Sequence, residues 1–437
     1  MMRRPVRSGG VVSSVATIVT VDPGHFHAAL VQGRMYDGVS SSAYVFAPDG
    51  RELDAHLELV ERFNSRRENP CSWNEVVHRG ADYLERFLAA AKAGDMGPCP
   101  VVVLAGKNDR KGDYALAAVE AGCNVLADKP LAITQGEFEK TERAVRLASE
   151  KGLIFEDMMT ERHAMASVVM RALAQDRDLY GEQEAGTVDD PAVYKKSVHH
   201  FCKLVDGVPL RRPEWYYDTN VQGEGIVDIT SHLVDLVQWS LFPEARLLPS
   251  DVEMASAKSW PTEISPEQYA ISTGGQISRP IAVNANGEFT WRLRGISCRV
   301  SVAWNFMAPP GSGDTHYSLM RGTNAELEIR QGEPESFRPV VYVRSRRDAS
   351  DTAAALGSAV SRLSRKWPGM AACATNEPGV WRILCPAEYD IGHEAHFGLV
   401  VGAFLDRLKA GGGDDFYAQN MLVKYHTIVE AWKMSRR

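Results

Sequence analysis

Two short segments hold residues able to move a proton and steady an oxyanion. The first is Leu126-Ala127-Asp128-Lys129-Pro130-Leu131-Ala132, directly after the strand-like run Asn124 to Ala127. A lysine at the C-terminal edge of a parallel strand stands where α/β sheets gather their ligands. Its ammonium can hydrogen-bond a substrate hydroxyl and a cofactor ribose, and can stabilise a developing alkoxide. A solvated lysine before a turn has the same local pattern. The second segment is Gly223 to Leu236, where Asp228 and His232 are four residues apart and Asp235 follows. Ile226, Ile229, Leu233, Leu236 and Val237 keep helical spacing, which predicts Asp228 and His232 on one helix face. A carboxylate beside an imidazole orients the ring and raises its basicity, giving a general base near neutral pH. Such a pair also satisfies polarity beside a core.

Further candidates surround these two. Asp22-Pro23-Gly24-His25-Phe26-His27 ends the apolar run Val15 to Val21 and leads into a helical stretch, His25 to Gln32. A strand, a glycine turn and a helix are the elements that hold a pyrophosphate. This turn is not G-x-G-x-x-G, although Gly24 permits close backbone approach and Ala28 or Ala29 permits tight packing. An ordinary βα turn with two histidines fits equally. Asp49 follows the second strand, where an acid holds the adenosine ribose in NAD, and Arg51 could instead meet the 2′-phosphate of NADP. His199, His200 and Lys203 lie on a strand-like run, so at most one of the two histidines is expected to face a cleft. Trp215, Tyr216 and Tyr217 could stack on sugar rings or belong to a core, and Gln222 and Glu224 could bind hydroxyls. In His393-Glu394-Ala395-His396 the histidines are three apart and not four as in H-E-x-x-H, and no third ligand accompanies them. No metal site is expected.

The elements that must position these groups alternate at first. Strand-like runs Val15 to Val21, Ala43 to Ala47, Val101 to Ala105, Asn124 to Ala127 and Leu153 to Phe155 are separated by helical stretches. That order predicts an α/β fold, with an N-terminal Rossmann-type parallel sheet over 14–157. Strand-like runs then follow one another from Tyr194 to Arg344, which predicts an α+β domain over 158–437 with a large open, mostly antiparallel sheet. An Ala/Ser/Gly-rich insertion is expected at about 351–380, and closing helices at 393–409 and 416–434.

Composition excludes several classes. The 437 residues are 44 % hydrophobic and 24 % charged, which is ordinary for a globular chain and excludes collagen, coiled coil and wholesale disorder. A formal charge of -7 gives no net pull toward nucleic acid or an anionic membrane. Seven widely spaced cysteines without a C-x-x-C pair suit a reduced, cytoplasmic protein. No apolar run approaches the ~20 residues of a membrane span. Arg3, Arg4 and Arg7 before Val11 to Val21 imitate a signal peptide, but Ser13, Ser14, Thr17 and Thr20 interrupt the stretch and no cleavage site follows.

Taken together, Val102-Val103-Leu104-Ala105-Gly106-Lys107-Asn108-Asp109, then Glu120-Ala121-Gly122-Cys123-Asn124-Val125-Leu126-Ala127-Asp128-Lys129-Pro130, then Val227-Asp228 and His232, resemble the glucose-fructose oxidoreductase / inositol dehydrogenase / rhizopine-catabolism (Gfo/Idh/MocA) family. The closer resemblance is to a subgroup with the Asp-Pro-Gly-His-Phe-His turn. The resemblance implies a nicotinamide cofactor, NAD or NADP, at the junction of two domains, and hydride transfer with a secondary alcohol of a sugar, glycoside or cyclitol. By position Lys129 matches the family's catalytic lysine, Asp228 its motif aspartate and His232 its proton-transfer histidine. Asp22 to His27, Asp49, Gly106, Lys107, Asn108, Asp128 and Lys129 are the implied cofactor contacts. The segment carrying Glu161 and His163 reaches the junction in that family, which adds both to the substrate candidates. Asp128 stands where glutamate is commoner, and the usual glycines of the first turn are absent. Two other readings fit the same chain: a glycoside-cleaving enzyme with retained NAD acting through transient C3 oxidation, and a non-catalytic dinucleotide-binding regulator. A homodimer or homotetramer through the open sheet is expected.

Overall fold

The computed structural model describes residues 16–205, 208–209, 211–412 and 416–437. Residues 14 and 15, where the first domain and first strand were expected to begin, lie outside them. The first half alternates as predicted: β1 (Ala16–Val21), α1 (His27–Leu30), β2 (Ser42–Ala47), α2 (Arg51–Ser65), β3 (Asn74–Arg79), α3 (Tyr83–Ala93), β4 (Cys99–Leu104), α4 (Lys111–Glu120), β5 (Asn124–Ala127), α5 (Gln135–Glu150) and β6 (Phe155–Asp157). The strands form one parallel sheet in the order β3-β2-β1-β4-β5-β6. Every residue of β1 is buried, as a strand covered on both faces requires. The sheet register pairs Thr20 of β1 with Val103 of β4, Leu104 of β4 with Ala127 of β5, and Ala127 with Asp157 of β6. The residues that follow these strands therefore share one edge of the sheet.

Two elements differ from expectation. β3 is a sixth strand that the sequence conceals: at the sheet edge its Asn74, Glu75, His78 and Arg79 face solvent or half-bury, so no apolar run marks it. The helix expected from His25 to Gln32 contracts to the four residues of α1. The backbone N–H groups of Gly24 and His25 both donate to the Ala105 carbonyl, at 3.2 and 2.9 Å, which ties the turn to the end of β4 and delays the helix.

The second half contains α6 (Met165–Ala174), α7 (Arg177–Tyr180), β7 (Val193–Cys202), the short pair β8 (Leu204–Val205) and β9 (Val208–Pro209), α8 (Thr219–Gln222), α9 (Thr230–Leu241), β10 (Val252–Ile264), α10 (Pro266–Thr273), β11 (Ile281–Leu293), β12 (Ile296–Met307), β13 (Thr315–Arg321), β14 (Ala325–Gln331), β15 (Val340–Ser345), α11 (Ala349–Lys366), β16 (Ala371–Ala374), β17 (Val380–Leu384), α12 (His393–Lys409) and α13 (Phe416–Met434). Nine strands form a sheet in the order β10-β11-β12-β7-β13-β14-β15-β17-β16, antiparallel except for β12 beside β7. The expected insertion is part of the fold. α11 buries Thr352, Leu356, Ala359, Val360 and Leu363 at helical spacing, and β16 and β17 extend the sheet edge.

The closing helices bind the halves together. α12 lays Phe397, Val400, Val401, Phe404 and Leu405 on one face of the parallel sheet, against Ile18 and Val103. α13 brings Lys424, fully buried, between Asp157 at the end of β6 (2.6 Å) and Asp235 on α9 (2.9 Å). Arg162 grips the same Asp235 through two bonds of 2.6 and 2.8 Å, and Tyr425 donates to Asp157 at 2.8 Å. A buried ammonium stripped of one carboxylate, or two carboxylates stripped of the ammonium, cost about 3–5 kcal/mol. We expect Lys424→Met to lower unfolding stability by that amount, and a loss below about 1 kcal/mol would contradict the role given to this cluster.

His56 on α2 is a local weak point. It is buried beside Leu53 and Val60, neither ring nitrogen has a partner, and burial pushes it down from 6.5 to about 4. Between those two values the unfolded chain holds the proton and the folded chain does not, so stability falls as pH drops from 6.5 toward 4. His56→Leu should raise stability at neutral pH by about 1–3 kcal/mol and flatten this acid slope. An unchanged slope in thermal unfolding between these pH values would refute it.

Candidate active site

The C-terminal edge of the parallel sheet faces the second domain across a cavity of about 480 Å³. From the first domain it is lined by His25, Phe26, His27, Gly106, Asn108, Asp128 and Lys129. The backbone packing is tight at this edge, because a Cβ on Gly106 would stand 2.1 Å from the Asp22 carbonyl oxygen. Gly225 plays the matching part opposite. A Cβ there would stand 1.6 Å from the Ala285 carbonyl oxygen, so only glycine lets the segment before α9 lie on β11.

The segment carrying Lys129 and the segment carrying Asp228 and His232 meet here. Lys129 Nζ donates to Asp228 Oδ1 at 2.5 Å, and Gln222 Nε2 donates to Asp228 Oδ2 at 3.0 Å. Asp228 lies in the turn ahead of α9, not on the helix, and makes no hydrogen bond with His232 among the described residues. The expected Asp228–His232 pair is thus replaced by a Lys129–Asp228 pair across the domain junction. Burial alone would push the Lys129 pKa down, but Asp228 and Asp128 more than offset it and raise the value. The ammonium is therefore held charged, and one of its three donors is used by protein. His232 lines the cavity with Nδ1 buried and without a partner. Burial, followed by nearby Lys129, pushes its pKa down to about 4, so the ring is neutral at pH 7.

A buried lysine missed by the sequence reading supports the catalytic loop. Lys111 donates to Asn108 Oδ1 (2.7 Å) and to the carbonyls of Asp128 (2.7 Å) and Pro130 (3.0 Å), and burial pushes its pKa down to about 8. Asn108 in turn donates to the Gln222 carbonyl at 2.7 Å, a second tie across the junction.

The other candidates divide. Glu161, His199, Lys203, Trp215, Tyr216 and Gln222 line the cavity. His200 does not, in keeping with strand alternation, yet His199 Nδ1, His200 Nδ1 and Lys203 Nζ all reach the one Asp314 carboxylate at 3.1, 3.0 and 2.7 Å. His163 is not in the cavity wall. Glu224 is buried away from it and pairs with Arg436 near the C-terminus, a packing role set by a residue far along the chain. Asp22, Pro23, Gly24, Asp49 and Lys107 border a separate cleft of about 20 Å³ beyond β1 and β2. There Asp49 pairs with Arg79 at 2.6 Å, and Asp22 accepts from Tyr114 at 2.9 Å. Sequence reasoning missed Arg212, Trp304, Asp314 and His316, which the second sheet and its loops bring into the wall. Arg212 stacks over Tyr216, 4.3 Å from the ring centre. His393 also lines the cavity, while His396 does not.

Comparison with known proteins agrees with this architecture. The family described as "Oxidoreductase family, NAD-binding Rossmann fold" matches residues 53–157, and the "Putative oxidoreductase C terminal domain" matches residues 169–436. No curated protein matches the sequence. A crystal structure of a "putative oxidoreductase" from Parabacteroides merdae is 42% identical, covers 98% of this chain and 99% of its own, and superposes with a TM-score of 0.93. Levoglucosan dehydrogenase in complex with NADH and levoglucosan shares the fold at 14% identity, covering 96% and 98% of the two chains, TM-score 0.60. A 3-ketoreductase from Actinomadura kijaniata, in complex with NADP and TDP-benzene, does so at 15% identity, covering 95% and 96%, TM-score 0.58.

The cavity suits the nicotinamide end of such a cofactor. Trp215 Nε1, His199 Nε2 and His232 Nδ1 are buried polar atoms without a protein partner, and all three residues line it. The first turn differs from a glycine-rich cradle, because the Gly24 and His25 amides are already bonded to Ala105. With one model spanning more than half of the chain and a relative 42% identical along 98% of it, the protein belongs to the Gfo/Idh/MocA oxidoreductase family and carries an NAD-binding Rossmann domain followed by that family's oxidoreductase C-terminal domain.

Proposed function

We propose that the protein transfers hydride between a secondary alcohol of a sugar, glycoside or cyclitol and NAD, with NADP as the second choice. The observation that carries this reading is the Lys129 ammonium, charge-paired across the junction and facing the same cavity as the neutral His232 imidazole. A nicotinamide coenzyme supplies the hydride acceptor or donor in this chemistry.

The chain's own residues would do the rest. Lys129 has two donors left after Asp228, and one aimed at the substrate oxygen stabilises alkoxide character there. His232 takes the hydroxyl proton in oxidation and returns it in reduction. Asp228 acts by holding Lys129 charged and in place. Trp215, Tyr216 and Trp304 offer aromatic faces to a ring with apolar C–H edges, and His199, Gln222 and Glu161 offer polar contacts to its hydroxyls. Asp49, Lys107 and the Asp22, Pro23 and Gly24 part of the first turn lie toward the adenosine end, and His25, Phe26 and His27 toward the nicotinamide. Association of copies through the open nine-stranded sheet accompanies this reading.

Purified protein offered NAD or NADP with a panel of sugars, glycosides and cyclitols should produce nicotinamide absorbance with at least one of them, and no turnover in either direction would refute the reading. Lys129→Ala and His232→Ala should each lower kcat by about 10²–10⁴-fold, with coenzyme binding retained. Unchanged turnover in either variant removes that residue from the mechanism. Because His232 is pushed down to about 4, kcat/KM should stay level from neutral pH downward and fall only as pH nears that value. A drop centred at the ordinary histidine value of 6.5 would contradict the role of burial.

A further inference from the structure

The first turn has an arrangement that coenzyme binding does not call for. Gly24 and His25 are pinned by the Ala105 carbonyl, so the helix starts only at His27, and the two imidazoles come together. Their rings meet edge to face with centres 4.0 Å apart. Asp128, from the end of β5, reaches both: His27 Nδ1 lies 2.8 Å and His25 Nδ1 3.9 Å from its Oδ2. One donor atom from each of the three residues falls within 4.8 Å of the other two. All three residues line the cavity.

We propose that His25, His27 and Asp128 form a three-ligand site for a divalent first-row metal ion of the zinc type, in the wall of the cavity. Two imidazoles and a carboxylate are the donors such ions take, at about 2.0–2.2 Å, which places donors around a tetrahedral ion roughly 3.3–3.6 Å apart. The two histidine–carboxylate spacings of 2.8 and 3.9 Å bracket that range and all three donors lie within 4.8 Å of one another, so the site closes on an ion with movements of about an ångström. The ion replaces the His27–Asp128 hydrogen bond and a long 3.4 Å contact from the His27 amide to His25 Nδ1.

Among the described residues no Lys or Arg forms an ion pair with the Asp128 carboxylate. The hydrogen bonds of the neighbouring ammonium groups go to other acceptors, Lys129 to Asp228 and Lys111 to Asn108 and the backbone carbonyls of Asp128 and Pro130. Across the cavity His393, its ring 5.8 Å from that of His27, meets Glu161 at 3.5 Å. Three protein ligands with the fourth position turned toward a cavity is the pattern of a catalytic rather than a structural zinc site. The sequence reading expected no metal because it sought a third ligand beside His393 and His396. The fold assembles the set elsewhere, joining residues 101 positions apart. The proposal goes beyond the dehydrogenase reading and does not depend on it.

The test is metal binding, read apart from activity. Full-length protein stripped with a chelator is titrated with Zn²⁺ by calorimetry, and with Co²⁺ by visible absorption. The expected result is one equivalent per chain, with a Co²⁺ spectrum showing nitrogen and oxygen ligands. His25→Ala, His27→Ala and the shape-preserving Asp128→Asn should each weaken binding by at least the roughly 10–100-fold that loss of an outer-shell partner costs. His396→Ala should leave it unchanged. No stoichiometric binding by the wild type, or binding of equal strength in folded Asp128→Asn, overturns the proposal.

Discussion

Two lysines, Lys424 fully buried and Lys129 largely so, must keep carboxylate partners across the boundary between the two sheets, and the rest of the structure is arranged around that requirement. Lys129 leaves the parallel sheet and finds Asp228 on the other side. Lys424 comes from the last helix and joins Asp157, at the end of β6, to Asp235 on α9. A buried charge without its partner costs several kcal/mol. The two halves are therefore held in one registration by electrostatics as well as by the apolar face of α12. The first pair makes the site, and the second fixes the helix that carries His232.

This registration explains how a cavity with opposed chemical functions is kept in order. One wall presents a charged ammonium, and the other an imidazole that burial keeps neutral. A group that steadies negative charge on oxygen and a group that accepts the proton from it are what alcohol oxidation asks of a protein, while the coenzyme carries the electrons. The same burial that depresses His232 would also lower Lys129, and Asp228 together with Asp128 reverses the sign for the lysine. Two aspartates thus separate the two roles, and the larger contribution comes from Asp228, placed by Gly225 and by the bond from Gln222.

What the sequence disclosed was local. Asp128-Lys129-Pro130 at a strand end, and Asp228 with His232, could be found because strand, turn and helix signals lie beside them. Their partners could not. Four-residue spacing suggested that Asp228 serves His232, but the helix starts two residues later and the carboxylate turns to a lysine 99 positions away. Glu224 looked like a hydroxyl binder and is instead claimed by Arg436. β3 went unseen because an edge strand need not be apolar. Asp314 and His316 enter the wall only through the pairing of β13 with β7, a register that no short window contains. The first turn was read as a weakened phosphate cradle, whereas its amides serve Ala105 and its histidines serve Asp128.

The seat of the coenzyme decides whether Lys129 and His232 act on the reacting oxygen. A crystal structure of the protein with NAD or NADP is the direct measurement. It should place the nicotinamide ring in the cavity between the His25–Phe26 turn and Lys129, with the adenosine toward Asp49. A dinucleotide seated away from Lys129 and His232 would contradict it.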